Sequence, residues 1–558
     1  MSIPQRRARL QPPAPLPPAS PEPRDEAQAQ RLAEWLAPLL VSLLGLALWL
    51  HQLGGVAYRD WDEGFYTVVA REMLKTGDWL HPHYLDQPFL VKPPLLFWLT
   101  ALGYQLGGSS ELAGRWPSTV ISALAMPLIY GIARHLFRRR DAAVIAALSM
   151  ASLLPAARLG RLVMMDGPST TFLLVMLLGA VLGRDRPAWR LAIGLGFGAA
   201  LLCKGSLGLL FLLMVLAFSC LDSGLGSLRC PWLGLGLLLG LAPMLLWFGL
   251  QVRRYGHAYL AVSFEQQLSK RVATGIEGHS QPFWYYIPEL IKWLLPWLLL
   301  AGCGVRVAWR QGEVRWLQLL LVPPALYLLA ISAMQTKLPW YILPLLPFVA
   351  LAAAVPLAAA WRGSSLLQRP FWVATFAILA LIGLAAALIL LGLPGQSGWT
   401  PSIGLIALGF GLSALFAARG RQRAMVVSLL AGQLLALLAL FSSPHWLWEL
   451  AESFEVRPVG ALLRQHVAPY DRVLITFPTG RPSLDWYCHC SVLPISSSQL
   501  ADIKTRGTAA FLLLDEPNRR RWFVDAQVLG QASGFSLVRV QPPQANIGGG
   551  TSAAAQKN

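Results

Sequence analysis

The amino-acid sequence predicts a mainly α-helical, polytopic transmembrane bundle with a small α/β domain outside the membrane near its C-terminal end. Three observations carry this. The 558-residue chain is 55% hydrophobic and only 13% charged, against roughly 25% charged in an average soluble domain. Segments such as 39–50, 171–182, 233–250 and 376–393 are apolar around their whole circumference, without the polar face that a surface helix keeps toward water. Beyond residue 449 the pattern changes to short β-like runs alternating with helix-like stretches, the signature of a small α/β unit.

At about 20 residues per span, about thirteen spans are expected. They fall near 35–55, 112–137, 142–158, 169–184, 190–203, 206–221, 231–250, 287–306, 316–334, 340–359, 371–392, 401–418 and 424–442. Short cytoplasmic loops retain Lys and Arg. Alternate connections carry Arg138 to Arg140; Arg184, Arg186 and Arg190; Arg306, Arg310 and Arg315; Arg362 and Arg369; and Arg419, Arg421 and Arg423, while Arg6, Arg7 and Arg9 precede the first span. This places the N-terminus in the cytoplasm and, with an odd number of spans, the C-terminal domain outside the plasma (inner) membrane. The formal charge of +18 is then a topology signal. It is spread over loop after loop and forms no compact patch, so nucleic acid is not an expected partner.

The organisation expected is a disordered cytoplasmic tail at 1–34, lacking the short apolar core of a cleaved signal, and a transmembrane domain at 35–448. Within it lie a first outer loop, 56–110, with two interfacial helices near 66–74 and 94–104, and a long outer loop, 251–286. An extracytoplasmic α/β domain at 449–540 follows, with strands expected near 472–477, 491–495, 509–514 and 535–540 and helices near 498–506 and 518–529. The tail, 541–558, is expected to be disordered. Four of the six cysteines sit in or beside spans and should simply pack. Cys488-His489-Cys490 lacks a second cluster to complete a tetrahedral metal site, and its spacing would strain a disulfide, so a packing role is expected there too.

The polar chemistry gathers on the outer side. Arg59-Asp60-Trp61-Asp62-Glu63-Gly64 puts three carboxylates within four residues just beyond the first span, where they repel one another and face anionic headgroups. A general base or a cation site would explain them. Asp166 lies in a tight turn between two spans, and Lys92, Lys204 and Lys337 lie at outer span ends. Lysines there run against the positive-inside bias; a snorkelling anchor accounts for any one of them, but three beside two carboxylate sites fit an anionic ligand such as a lipid phosphate. The long loop adds Lys270, Arg271, His279 and the aromatic run Phe283-Trp284-Tyr285-Tyr286, which suits either sugar stacking or an interfacial belt.

In their order and spacing these residues resemble the GT-C glycosyltransferases related to lipid A aminoarabinose transferase and protein O-mannosyltransferases. The resemblance runs from about residue 58 to 344 and rests on Asp62-Glu63 followed by Ala70-Arg71-Glu72-Met73 and Gly77-Asp78-Trp79, then Lys92-Pro93-Pro94 with Trp98. It continues through Asp166, Lys204-Gly205, Arg271 with His279 and Pro282 to Tyr286, and Lys337-Leu338-Pro339 with Tyr341. It implies transfer of a sugar from a polyprenyl-phosphate-linked donor to a lipid, glycan or protein acceptor of the cell envelope. By the same resemblance Asp62 is the catalytic acid/base residue, with Glu63 beside it, and Asp166 is a second acidic residue of the cavity. Lys92, Arg271 and Tyr341 are placed around the carrier phosphate with Lys204 and Lys337 near, and Arg59, His279, Trp284 and Tyr285 line the substrate cavity. No cofactor is required and a divalent metal is left open; Val91 stands where many relatives carry an acidic residue that could serve one. Chemistry at the residue level agrees. Charge building on a leaving phosphate calls for cations in a cavity of low dielectric, and the acceptor hydroxyl needs a carboxylate base. A single displacement of this kind inverts the anomeric carbon. The alternative reading, a transporter or flippase of lipid-linked sugars, calls for ionisable residues near the bilayer midplane, where this sequence has few.

Overall fold

The fold follows from what an apolar chain must do with its backbone: each N–H and C=O facing lipid has to be satisfied within its own segment, which selects helices. The computed structural model describes residues 24–263, 281–447, 455–477, 479–506 and 508–540. In chain order come helices α1 (Arg24–Leu50), α2 (Asp62–Thr76), α3 (Leu95–Gly107), α4 (Glu111–Ala123), α5 (Ala125–Leu136), α6 (Arg140–Ser152), α7 (Leu154–Leu159), α8 (Asp166–Gly183), α9 (Leu191–Lys204), α10 (Leu207–Ser223) and α11 (Pro231–Tyr255). Later helices include Tyr286–Leu294, Trp297–Arg310, Val314–Ala333, Leu346–Trp361, Pro370–Gly392, Thr400–Ala418 and Gln422–Phe441.

Among the described residues eight helices are long and apolar enough to cross a membrane, or nine if one bent pair is counted as a span, where about thirteen were expected. Expected spans at 142–158, 190–203 and 206–221 contain α6, α9 and α10, which have 13, 14 and 17 residues. At 1.5 Å per residue they fall short of a hydrocarbon core about 30 Å thick. The first expected span lies in α1, a helix of 27 residues, and the stretch read as one span at 287–306 breaks between Tyr286–Leu294 and Trp297–Arg310 with a bend of 100°.

The bundle is sorted by charge along its length. At one end Glu34 receives Arg134 and Arg140 at 2.9 and 3.0 Å, Asp222 receives Arg184 and Arg315 at 2.9 and 2.8 Å, and Asp141 receives Arg362 at 2.6 Å. Helix α8 runs from that end to the other, with Arg184 at its C-cap and Asp166 at its first residue. Close helix contact is made where Cβ atoms are missing: on α9 and α11, an added Cβ at Gly194 would lie 2.0 Å from the Gly236 carbonyl carbon, and one at Gly198 1.9 Å from the Gly240 oxygen.

The C-terminal segment forms a five-stranded sheet, order β4-β3-β5-β7-β6, from β3 (Arg472–Ile475), β4 (Ser491–Pro494), β5 (Ala510–Asp515), β6 (Gln527–Ala532) and β7 (Phe535–Val540). A separate hairpin, β1 (His83–Tyr84) with β2 (Gln87–Pro88), lies in the first outer loop. Strand β3 pairs parallel with β4 and β5, and β7 pairs antiparallel with β5 and β6. The helix expected at 518–529 is shorter, Glu516–Trp522, and the chain then turns into β6. Cys488 and Cys490 form a disulfide, contrary to the packing role expected of them; His489 between them adopts φ 61°, and this left-handed turn folds the two cysteines toward each other.

This segment is seated on the first outer loop. Tyr58, Val68, Val69 and Phe97 share one apolar core with Val459, Leu463, Leu484 and Trp486. Arg71 Nη1 donates to the Trp486 carbonyl at 2.6 Å and Tyr487 Oη to Glu111 at 2.6 Å. Tyr84 of β1 donates to the Asp485 carboxylate, which also accepts the Val492 amide at 2.7 Å.

Burial pushes the Asp485 carboxyl up to about 7, opposed by the bonds from Tyr84 and Val492 and by Arg71 and reinforced by Asp60. A folded-state value above the unfolded one of about 3.9 means the native protein keeps a proton that the unfolded chain loses between these pH values. That stabilising contribution is therefore full below about pH 4 and is lost as pH rises toward 7. Thermal unfolding of the wild type should lose stability from pH 5 to 7.5 relative to Asp485→Asn; a difference between the two that is constant with pH contradicts the assignment.

Candidate active site

Helix α2 begins at Asp62, directly after Trp61, whose φ of 65° and ψ of −132° are costly for a side chain of this size. Two anchors hold that turn. Downstream, Glu63 is fully buried and meets Arg115 of α4 in a two-pronged ion pair, Nε to Oε1 and Nη2 to Oε2, both at 2.8 Å. Glu63 also accepts the Arg59 amide at 2.9 Å and the Val163 amide at 3.1 Å. Arg115 spends its remaining donors on the carbonyls of Leu53, Val56 and Ala57 at 3.1, 2.7 and 2.9 Å. Upstream, Asp60 accepts Arg481 Nη1 at 2.6 Å and both the amide and hydroxyl of Ser483, at 3.1 and 2.6 Å.

Between these anchors Asp62 is half-buried. It accepts the Tyr66 hydroxyl on Oδ1 at 3.1 Å and has no ion pair among the described residues. Glu63, grouped with the catalytic residues on sequence, has its acceptor sites committed to the scaffold and faces no solvent. The bond from Val163 to Glu63 brings the connection before α8 against the start of α2. Three residues further on, Asp166 opens α8, 4% exposed, and its carboxylate takes the Lys204 ammonium from the last residue of α9. Lys204 also lies 5.4 Å from the centre of the Tyr341 ring. Tyr341 stands in the short helix Pro339–Leu345, where its carbonyl accepts the Tyr327 hydroxyl at 2.9 Å.

Gly205 ends α9 with φ 67°, and a Cβ there would touch Pro93 at 3.6 Å. The stretch carrying the half-buried Lys92, next to Pro93, thereby runs past the end of α9, where Lys204 lies. So the structure gathers Asp62, Asp166, Lys92, Lys204 and Tyr341, which are far apart in sequence, around one end of the bundle. Lys337, four residues before Tyr341, is buried, and its ammonium donates to the Met334 carbonyl of its own turn. Arg59 is 3% exposed, and its Nε and Nη1 find no hydrogen-bond partner among the described residues. Tyr285 packs edge-on to Tyr286 at 5.1 Å, and Trp284 is exposed. Arg271 and His279 lie outside the described residues. Among those described, no group of three or more His, Cys, Asp or Glu is placed to hold a metal ion, and Val91 contributes no ligand.

Sequence reasoning missed Arg115. It lies inside a stretch read as a span, 112–137, and an arginine within an apolar run is costly unless paired; that was the available signal. Arg161 is a second case. Fully buried in the turn before α8, it closes the end of α1 by donating Nη1 to the carbonyls of Trp49 and His51, each at 2.9 Å, beneath the Phe441 ring at 3.8 Å.

Residues 91–247 match the family described as dolichyl-phosphate-mannose-protein mannosyltransferase. An undecaprenyl phosphate-alpha-4-amino-4-deoxy-L-arabinose arabinosyl transferase of Pseudomonas fluorescens is 31% identical over 328 residues, 57% of this chain and 59% of that protein. The enzyme of the same name from Pectobacterium carotovorum is 30% identical over 387 residues, 66% of this chain and 68% of its own length. The chain thus spans roughly three fifths to two thirds of these curated relatives. ArnT from Cupriavidus metallidurans, solved with undecaprenyl phosphate, superposes with a TM-score of 0.73 at 20% identity, covering 92% of this chain and all of that one. The fold is that of a polytopic GT-C glycosyltransferase. More narrowly, the chain belongs to the family of the undecaprenyl phosphate-aminoarabinose arabinosyl transferases.

The Glu63–Arg115 pair yields a stability prediction. Glu63→Ala leaves Arg115 buried without its counter-charge, at a cost of about 3–5 kcal/mol, whereas Glu63→Ala combined with Arg115→Met should recover part of the loss. Thermal unfolding of the purified protein in detergent checks both; a Glu63→Ala variant as stable as the wild type removes the pair from its scaffold role.

Proposed function

We propose that the protein transfers a sugar from a polyprenyl-phosphate carrier to an acceptor of the cell envelope, on the extracytoplasmic face of the plasma membrane, with Asp62 as general base. The observation that carries the reading is the difference among the carboxylates of this end. Asp60, Glu63 and Asp166 are each bound to a cation, while Asp62 is half-exposed, carries no cation among the described residues and is fixed at a helix start by Tyr66. A carboxylate so placed can accept the proton of an attacking hydroxyl.

Lys92, Lys204 and Tyr341 supply the complementary part. Positive charge and a hydroxyl positioned before reaction stabilise the charge that accumulates on the departing phosphate, and Asp166 holds Lys204 in place for this. The hydroxyl oxygen attacks the anomeric carbon, its proton passes to Asp62, and the bond to the phosphate oxygen breaks with the electron pair leaving on the phosphate. One displacement inverts the anomeric centre. Arg271 is an additional phosphate cation, and His279, Trp284, Tyr285 and Arg59 belong to the surroundings of the sugar and acceptor.

The donor class is the one named for the relatives, a sugar on undecaprenyl phosphate. For the acceptor a lipid is favoured over a glycan or protein. Phe283, Trp284, Ile287 and Ile291 are exposed along the start of the bent helix pair, and Tyr286 of the same helix is buried near Tyr341. An amphiphile can therefore reach this end from the bilayer. The N-terminus is assigned to the cytoplasm, because the arginine-rich end of the bundle obeys the positive-inside bias, and the C-terminal sheet to the outside.

Two substitutions test the reading with the full-length protein in lipid nanodiscs and a defined polyprenyl-phosphate sugar. Asp62→Asn should keep the fold and lose about 10²- to 10⁴-fold in turnover; full turnover would rule out Asp62 as base. Lys92→Ala should weaken binding of polyprenyl phosphate, and an unchanged affinity would remove Lys92 from the phosphate site.

A further inference from the structure

The C-terminal segment does more than cover the outer loop: it reaches the turn that carries Asp62. Asp60, two residues before it, is 4% exposed and accepts hydrogen bonds from Arg481 and Ser483 of this segment. Arg481 is itself braced, its guanidinium 4.5 Å from the Phe477 ring, and Ser483 sits in the first turn of the helix Pro482–Cys488, 1% exposed. On the other side of Asp62, an added Cβ at Gly64 would fall 2.7 Å from the Ser483 amide nitrogen and 2.9 Å from the Pro482 carbonyl carbon. The chain at Gly64 is therefore pressed directly onto the start of that helix.

Between Asp60 and Asp62 stands Trp61, in a backbone conformation that a non-glycine residue keeps only when its neighbours over-determine it. Trp61 makes no side-chain capping bond to α2. Its carbonyl accepts the Phe65 amide of α2 at 2.9 Å, and both of its flanks are tied. Glu63 is tied to Arg115 in the bundle and Asp60 to Arg481 and Ser483 in the C-terminal segment, more than 400 residues later in the chain. Removing the second tie leaves α2 anchored but frees the residue that sets the direction in which the chain enters it.

We propose that Arg481 and Ser483 are positioning residues of the active site, acting through Asp60 to hold the Trp61 turn and so to aim the Asp62 carboxylate. This rests on the reading of Asp62 as base. Neither residue touches the reacting atoms. Their effect is on geometry, and a misplacement of about 1 Å is worth up to about 10²-fold in rate.

The test uses the full chain in nanodiscs with four variants: Arg481→Ala, Arg481→Lys, Ser483→Ala and Asp60→Asn. Two readouts are taken, hydrogen exchange of the amides of residues 58–64 and steady-state transfer from a polyprenyl-phosphate sugar. Arg481→Ala and Asp60→Asn should speed exchange in 58–64 and lower kcat by about 10- to 100-fold with the donor KM unchanged. Ser483→Ala, which deletes one bond without removing a charge, should show the same pattern more weakly, and Arg481→Lys should restore part of kcat. Exchange that stays at the wild-type rate in Arg481→Ala overturns the proposal, as does an unchanged kcat. If Asp62→Asn proves active while exchange in 58–64 still rises in Arg481→Ala, the base assignment fails and the clamp on the turn stands.

Discussion

The Glu63–Arg115 ion pair is the constraint on which the end of the bundle that carries the candidate site depends. It joins the first residues of α2 to the beginning of α4 with no exposure of either side chain. Such a pair is expensive to desolvate and gains its place only if every remaining donor and acceptor is met. Here they are: three backbone carbonyls of 53–57 take the rest of the guanidinium, and two backbone amides take the rest of the carboxylate. Three stretches of chain, 53–63, the start of α4 and the connection before α8, thereby converge on a single point, and the last of them delivers Asp166. The pair fixes where the start of α2 and the start of α8 sit relative to each other.

A division of labour among like residues follows. Three carboxylates around the start of α2 and α8 are bound to cations and serve geometry: Glu63 to α4, Asp60 to the C-terminal segment and Asp166 to Lys204. Asp62, between them, is held by the Tyr66 hydroxyl and has no ion pair among the described residues. A base needs such an environment, because a nearby cation would favour its charged form and weaken it as a proton acceptor. The neighbouring residues thus set what Asp62 can do by claiming the cations around it.

Much of this was legible in the sequence. Apolar runs with no polar face could only be membrane or deeply buried helices; Asp62, Lys92, Asp166 and Lys204 stood out because lysine and carboxylate are rare at the span ends expected to face outward, and Tyr341 entered through the resemblance alone. What was illegible depended on partners distant in sequence. Glu63 looked like a twin of Asp62 because its partner lies 52 residues later, in a stretch whose apolar average hid an arginine. Hydropathy marked more apolar segments than there are helices long enough to cross alone among the described residues, because it does not see where a helix breaks, as α6 does before α7. The helix expected at 518–529 ended at Trp522, and the start of β6, 527–529, was taken into it because an edge strand carries a weak alternation. Spacing argued against a bridge between Cys488 and Cys490, and local backbone geometry at His489, invisible to spacing, allowed it.

The central claim is that a single carboxylate, held by a scaffold of ion pairs, drives one direct displacement on a lipid-phosphate sugar. The anomeric configuration of the product tests it most directly. Transfer from a polyprenyl-phosphate donor of known configuration, followed by NMR of the anomeric proton and carbon in the product, should show inversion. Net retention would require a second displacement through a covalent intermediate and would contradict the account.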